Sequence, residues 1–202
     1  MFSLHQPTDP EIRDYLARQA EQSFSYDQVG CTRDTPEPRR GWNTDHHRVL
    51  LGHGEAVFQR AKQAIDEWPM FPSEVATLCW PSPPREGLNV SVLYWAGPLR
   101  IWLLFAARVV YVVDEATPRG AKHLERYGFA YGTLPDHPER GEERFLVEWD
   151  RNDDAVYYDL LAISQPRHWL ARIGYPYTRY EQSRFRRLSG EAMQHDSESR
   201  RR

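Results

Sequence analysis

Between Tyr127 and Trp149 the chain reads YGFAYGTLPDHPERGEERFLVEW, which brings His137, Glu139, Glu142 and Glu143 into one short span. A carboxylate beside an imidazole can act as a general base, and several such groups together can hold a metal. If the protein is an enzyme, His137, Glu142 and Tyr131 are its candidate acid–base residues. The same residues also have a plainer reading, because charged side chains in a loop that joins two strands are usually solvated. Glu142 and Glu143 are neighbours, so on a strand only one of them faces inward.

Other reactive residues form no complete motif. Gly52-His53-Gly54 precedes a helical pattern, but a dinucleotide fingerprint needs a third glycine where Val57 stands. His46, His47 and His53 lack the ligand spacing of a structural metal site, so neither a metal nor another cofactor is expected. No serine sits in a GxSxG elbow. Cys31, next to Thr32 and Arg33, reads as an inert thiol. The arginines of FRRLSGEAMQHDSESRRR are interspersed with Glu191, Asp196 and Glu198, which suits a solvated helix face.

What must position these residues follows from the whole chain. A chain of 202 residues makes one domain that buries about 70% of its unfolded surface. The net charge of −3 gives no electrostatic case for nucleic acid. Cys31 and Cys79 lack a CxxC spacing, and no secretory h-region is visible in Met1 to Pro10. The longest apolar run, IWLLFAARVVYVV, is interrupted by Arg108, so no membrane span is expected. A cytoplasmic protein is the expectation. Seven Trp and eleven Tyr supply core, and aromatic residues also line cavities for apolar ligands.

TDPEIRDYLARQAEQ predicts a helix capped by Thr8 or Asp9, with Pro10 in its first turn. SFSYDQVGCT reads as a strand through Val29, followed by a polar loop over residues 31–48 whose length suits a flap, then a short strand at Val49 to Leu51. Gly52 to Trp68 predicts a second helix, with Val57, Ala61, Ala64, Ile65 and Trp68 on one face. VATLCW, LNVSVLYW, RIWLLF, RVVYVV, GFAYGTL, ERFLVEW and AVYYDLLAI predict strands. GFAYGTL and ERFLVEW alternate about the turn formers of PDHPERGEE, which predicts a hairpin with a loop of about seven residues. PRHWLARIG and PYTRYEQSRFRRLSGEAM predict closing helices, and His195 to Arg202 a disordered charged tail. Strands in a run with helices at the ends indicate an α+β fold with an antiparallel sheet.

FSYDQVGCT, VLLGHGEAVFQRAKQAIDEW, RVVYVVDE, GFAYGTLPDHPERGEERFLVEW and SQPRHWLARIGYPYTRYEQ together resemble the domain-of-unknown-function family nineteen-ninety. The resemblance spans roughly Phe24 to Met193 and brings no catalytic residues to carry over. The layout also resembles the Bet v 1 and START-related helix-grip proteins. That likeness implies a curved antiparallel sheet around a C-terminal helix, with apolar ligands held between them. On this basis residues 1–23 form an N-terminal helical extension and 24–194 a single helix-grip domain. The expected ligand is a small, largely apolar molecule. Tyr94, Trp102, Arg108, Tyr131, Trp149 and Tyr158 are the candidate binding residues. An acid–base enzyme (cyclase, isomerase or hydrolase) working in the same cavity is the first alternative, and a protein-interaction module the second. Oligomeric state is left open.

Overall fold

The computed structural model describes residues 1–34, 40–97, 100–119, 122–167 and 175–199. In chain order the elements are β1 (Phe2–Ser3), α1 (Asp9–Ala20), β2 (Asn43–His53), α2 (Glu55–Glu67), β3 (Thr77–Cys79) and β4 (Asn89–Ala96). There follow β5 (Ile101–Arg119), β6 (Lys122–Thr133), β7 (Glu139–Asp150), β8 (Ala155–Pro166) and α3 (Tyr175–Ser199). The strands form one antiparallel sheet in the order β2-β8-β7-β6-β5-β4-β3, with β1 paired to β5. From β3 to β8 each strand pairs with the next, and β2 closes the far edge by pairing with the last strand. The fold is therefore α+β, with the C-terminal helix laid against an open antiparallel sheet.

Alternation along the strands gives the sheet two unlike faces. On the inner face Val109, Phe129, Phe145, Val147, Tyr158 and Leu160 form one buried cluster with Val57, Phe58, Ala61 and Ile65 of α2 and Met193 of α3. Burying each such large side chain contributes about 1.5–3 kcal/mol, so this cluster fixes the helices on the sheet. Gly190 lets α3 approach β2 closely, since a Cβ there would sit 3.0 Å from both His47 and Val49. On the outer face Ile12 and Tyr15 of α1 pack on Leu93, Leu104, Ala106 and Leu134. The Glu11 carboxylate accepts bonds from both the backbone N–H and the hydroxyl of Thr8, which caps α1 as its sequence predicts.

Several boundaries differ from those read in the sequence. Ser23 to Val29 is not a strand. Its alternating Phe24 and Tyr26 lie in a loop running over the outer face, where Tyr26 bonds to Glu142. The polar 31–48 segment is shorter than expected, because β2 already begins at Asn43. Of this segment, Arg33 and Asp34 border the outer face. RIWLLF and RVVYVV are one continuous strand, β5, with a register shift between Val109 and Tyr111. β6–β7 pairing ends at Gly132 and Glu142, and β7 begins as early as Glu139 because its first residues pair with β8. The helix predicted at PRHWLARIG falls mainly on residues 168–174, outside the described residues. At the other end α3 runs on through Ser199, where a disordered tail was expected from His195. The Ser197 carbonyl accepts a bond from Arg60 of α2, which gives that last turn a tertiary anchor.

Candidate functional site

The alternation that turns Phe145, Val147 and Trp149 inward also turns Glu143 inward and Glu142 outward. Across the inner face Glu143 pairs with Tyr131 on β6 and Ala162 on β8, and Ala162 in turn pairs with Asp45 on β2. Beneath the first half of α3 these strands thus build a row of ionisable groups. The Tyr131 hydroxyl donates to the Glu143 carboxylate at 2.7 Å. Gln182 of α3 reaches down to the Glu139 carboxylate, its amide nitrogen 2.7 Å from both oxygens. Asp45 receives Arg179 at 2.6 Å and Arg186 at 3.3 Å, which fastens the edge strand to the helix.

Burial governs the protonation of this row. Desolvation pushes the Glu143 carboxyl up to about 7; the Tyr131 hydroxyl pulls it down, and the nearby Glu139 charge adds to the rise. Glu139 is also raised, chiefly by burial, against the opposing bonds from Gln182 and Ser164. The Tyr131 phenol is held well above its ordinary value by burial and by Glu143. His137 is neutral, because burial lowers its imidazole to about 4. It packs on Phe105 at 5.0 Å between ring centroids, and its Nδ1 meets the backbone of Glu139. The row therefore offers a carboxyl that gains or loses a proton near neutral pH, hydrogen-bonded to a phenol that keeps its own.

Beside the row the inner face is apolar and only partly covered. Val92 and Tyr94 of β4 and Ile101, Leu103 and Phe105 of β5 are all half-buried. Tyr94 and Phe105 stack with centroids 6.5 Å apart, and the Tyr94 hydroxyl lies 3.1 Å from that of Tyr177 on α3. Deeper in, Trp149 and Tyr158 belong to the packed core. Trp149 meets Phe58 and donates to Asp154, while the Tyr158 hydroxyl bonds Ser189 of α3 at 2.8 Å.

Three residues singled out from the sequence lie on the outer face. Glu142 is buried and accepts bonds from Tyr26 at 2.6 Å, the Gly30 N–H at 2.7 Å, and both the N–H and the hydroxyl of Thr32. It anchors the 24–34 loop. Arg108 donates to the carbonyls of Gln19 and Ala20 at the end of α1, and to Asn89. It thus acts as a C-terminal cap for α1. Trp102 packs against Trp95 with the rings tilted at 43° and borders the α1 cluster. Of the six proposed ligand residues the structure therefore brings Tyr94, Tyr131, Trp149 and Tyr158 to the inner face, and places Trp102 and Arg108 opposite. His137 and Tyr131 share the inner side, but their charged companion there is Glu143.

Glu139, Glu143, Gln182 and Asp45 were not singled out as inward-facing groups. Counting by twos from Phe145 finds Glu143, whereas the pairing of Asp45 with α3 spans the whole domain and leaves no local trace. His46 and His47 project from opposite faces: His46 meets Asp159, and His47 lies by Gly190. Among the described residues no group of three His, Cys, Asp or Glu side chains could hold a metal ion. None of the described helices is long and apolar enough to cross a membrane.

The chain belongs to the family described as a domain of unknown function (DUF1990), whose pattern matches residues 25–192. A UPF0548 protein of Dictyostelium discoideum is 34% identical over 200 residues, covering 92% of this chain and 90% of its own. Another, from Deinococcus radiodurans, is 38% identical over 196 residues, covering 90% and 88%. Among solved structures, the hypothetical protein jhp0584 of Helicobacter pylori superposes with a TM-score of 0.48 at 10% identity, covering 77% of this chain and 88% of that one. Ara h 8.0201 superposes with a TM-score of 0.43 at 10% identity, covering 76% and 99%.

Proposed function

We propose that the protein binds a small, largely apolar molecule between the inner face of the sheet and the first half of α3. The observation that carries this is the adjacency of two surfaces. Val92, Tyr94, Ile101, Leu103 and Phe105 offer half-buried apolar area. The Glu143–Tyr131 pair next to it offers a directed polar contact. Apolar area supplies affinity and a few placed polar groups supply orientation. Tyr94 and Tyr131 are the ligand-facing residues in this reading, and Trp149 and Tyr158 are the core beneath them. Neither cysteine is in a disulfide, which suits the reducing cytoplasm. The test is to purify the protein gently, extract it with organic solvent and look by mass spectrometry for a stoichiometric compound. Uptake of the neutral dye Nile red should be competed by that compound and reduced by Tyr94→Ala. Dye uptake unchanged in that variant, with nothing in the extract, would overturn the proposal.

A second reading rests on Glu143 itself. A carboxyl raised to about 7 beside a phenol is suited to proton transfer at neutral pH, so the same pocket could serve an acid–base reaction. Glu143→Gln separates the two readings. A binding protein keeps its ligand largely unaltered in the variant, whereas an enzyme keeps binding and loses turnover of the extracted compound.

A further inference from the structure

The outer face carries a second polar centre, remote from α3. An open cleft of about 370 Å³ is lined chiefly by Arg33, Arg48, Arg126, Arg144, Glu148 and Asp159, with Leu146 and Leu161 in its floor. The two carboxylates are nearly covered, their side chains 9% and 6% exposed, while Arg48 is 34% exposed. Each carboxylate oxygen is already engaged. Glu148 takes Arg48 at 2.7 Å on one oxygen and Arg126 at 2.8 Å on the other. Asp159 takes Arg144 at 2.8 Å on one oxygen, and Arg48 at 3.1 Å with His46 at 2.7 Å on the other. A guanidinium has five N–H donors, so these bonds orient the arginines without exhausting them.

The cations outnumber the anions. Four guanidiniums face three carboxylates, counting Asp34 at the rim. Arg33 makes no ion pair among the described residues and sits over the Tyr111 ring, its guanidinium carbon 4.4 Å from the centroid. Arg144 spends one nitrogen on the Thr32 carbonyl and leaves its buried Nε–H without an acceptor. An anion in the cleft would supply acceptors to Arg33 and to the guanidinium N–H groups of Arg48 and Arg144 that these bonds leave free. The loop that presents Arg33 is held in place by Glu142, so the wall of the cleft is built rather than incidental.

We propose that this cleft binds a small organic anion through a phosphate or carboxylate group clamped by Arg33, Arg48 and Arg144. The test is isothermal titration of the full chain with pyrophosphate and with citrate, at a fixed ionic strength of about 0.15 M. One-site saturation by at least one of them is expected, weakened roughly tenfold or more in Arg33→Gln, as befits one lost charge-assisted contact. Pyrophosphate alone binding assigns the site to phosphates, citrate alone assigns it to carboxylates, and both binding assigns it to charge density. Arg33 lies outside the ion-pair network, so its variant should unfold at the wild-type urea midpoint, and Arg48→Gln gives a second check. Nile red uptake should be unchanged in Arg33→Gln, which keeps this test separate from the proposed inner-face site. Failure of both anions to saturate, or equal affinity in wild type and both variants, overturns the proposal.

Discussion

Glu143 and His137 should pull the stability of the protein in opposite directions as pH changes. The folded state raises Glu143 from 4.5 to about 7, so between those values the native protein holds more protons than the unfolded chain. Stability from this group falls as pH rises, by about 3 kcal/mol across the window. His137 is lowered from 6.5 to about 4, so the unfolded chain holds more protons there and stability rises with pH, again by about 3 kcal/mol. From roughly pH 4.5 to 6.5 the two slopes nearly cancel; Glu139, raised like Glu143, and His47, lowered like His137, act in opposite senses on the remainder. Removing one arm exposes the other. In Glu143→Gln the unfolding free energy should climb with pH over that window, and in His137→Gln it should fall. Urea unfolding followed by far-UV circular dichroism at half-unit pH steps measures all three profiles. If the Glu143→Gln profile runs parallel to wild type, Glu143 does not titrate in a desolvated site and the electrostatic account of the row is refuted.

Other outcomes follow from the outer face and the helix anchor. Glu142→Ala strands four donors of the 24–34 loop, at a cost of about 3–5 kcal/mol in urea unfolding, and should open that loop to limited proteolysis. Gly132→Ala places a Cβ 2.2 Å from the Tyr26 hydroxyl, forcing that ring off Glu142. A loss of about 2 kcal/mol is expected, and it should add poorly to Glu142→Ala in a double-mutant cycle. Asp45→Asn loosens Arg179 and Arg186, so amide exchange in the first half of α3 should quicken, with a stability loss of about 1–2 kcal/mol.

The local patterns carried the elements well. The period-two alternation of GFAYGTL and ERFLVEW gave the hairpin, and the apolar stripe of Val57, Ala61, Ala64 and Ile65 gave α2. Where the sequence misled, a side chain had a tertiary duty that imitates a local signal. Phe24 and Tyr26 alternate like a strand because they cover the outer face around Gly132. Arg108 interrupts an apolar run yet leaves β5 continuous, since it caps α1 instead of ending a strand. The site was harder to see. Period two from Phe145 points to Glu143, but Asp45 and Arg179 meet across most of the chain, and nothing local foretells that β2 pairs with β8. The guanidinium cleft was equally hidden, because its arginines come from one loop and three strands.

Photolabelling of the full chain with a neutral aliphatic diazirine, followed by residue-level mapping of the adducts, tests the central claim most directly. Saturable labels on Tyr94, Leu103, Phe105 and the facing turns of α3, suppressed by the extracted compound, are the predicted result. Labels confined to the exposed outer residues Trp80 and Trp95, or none that saturate, would contradict a ligand site beneath α3.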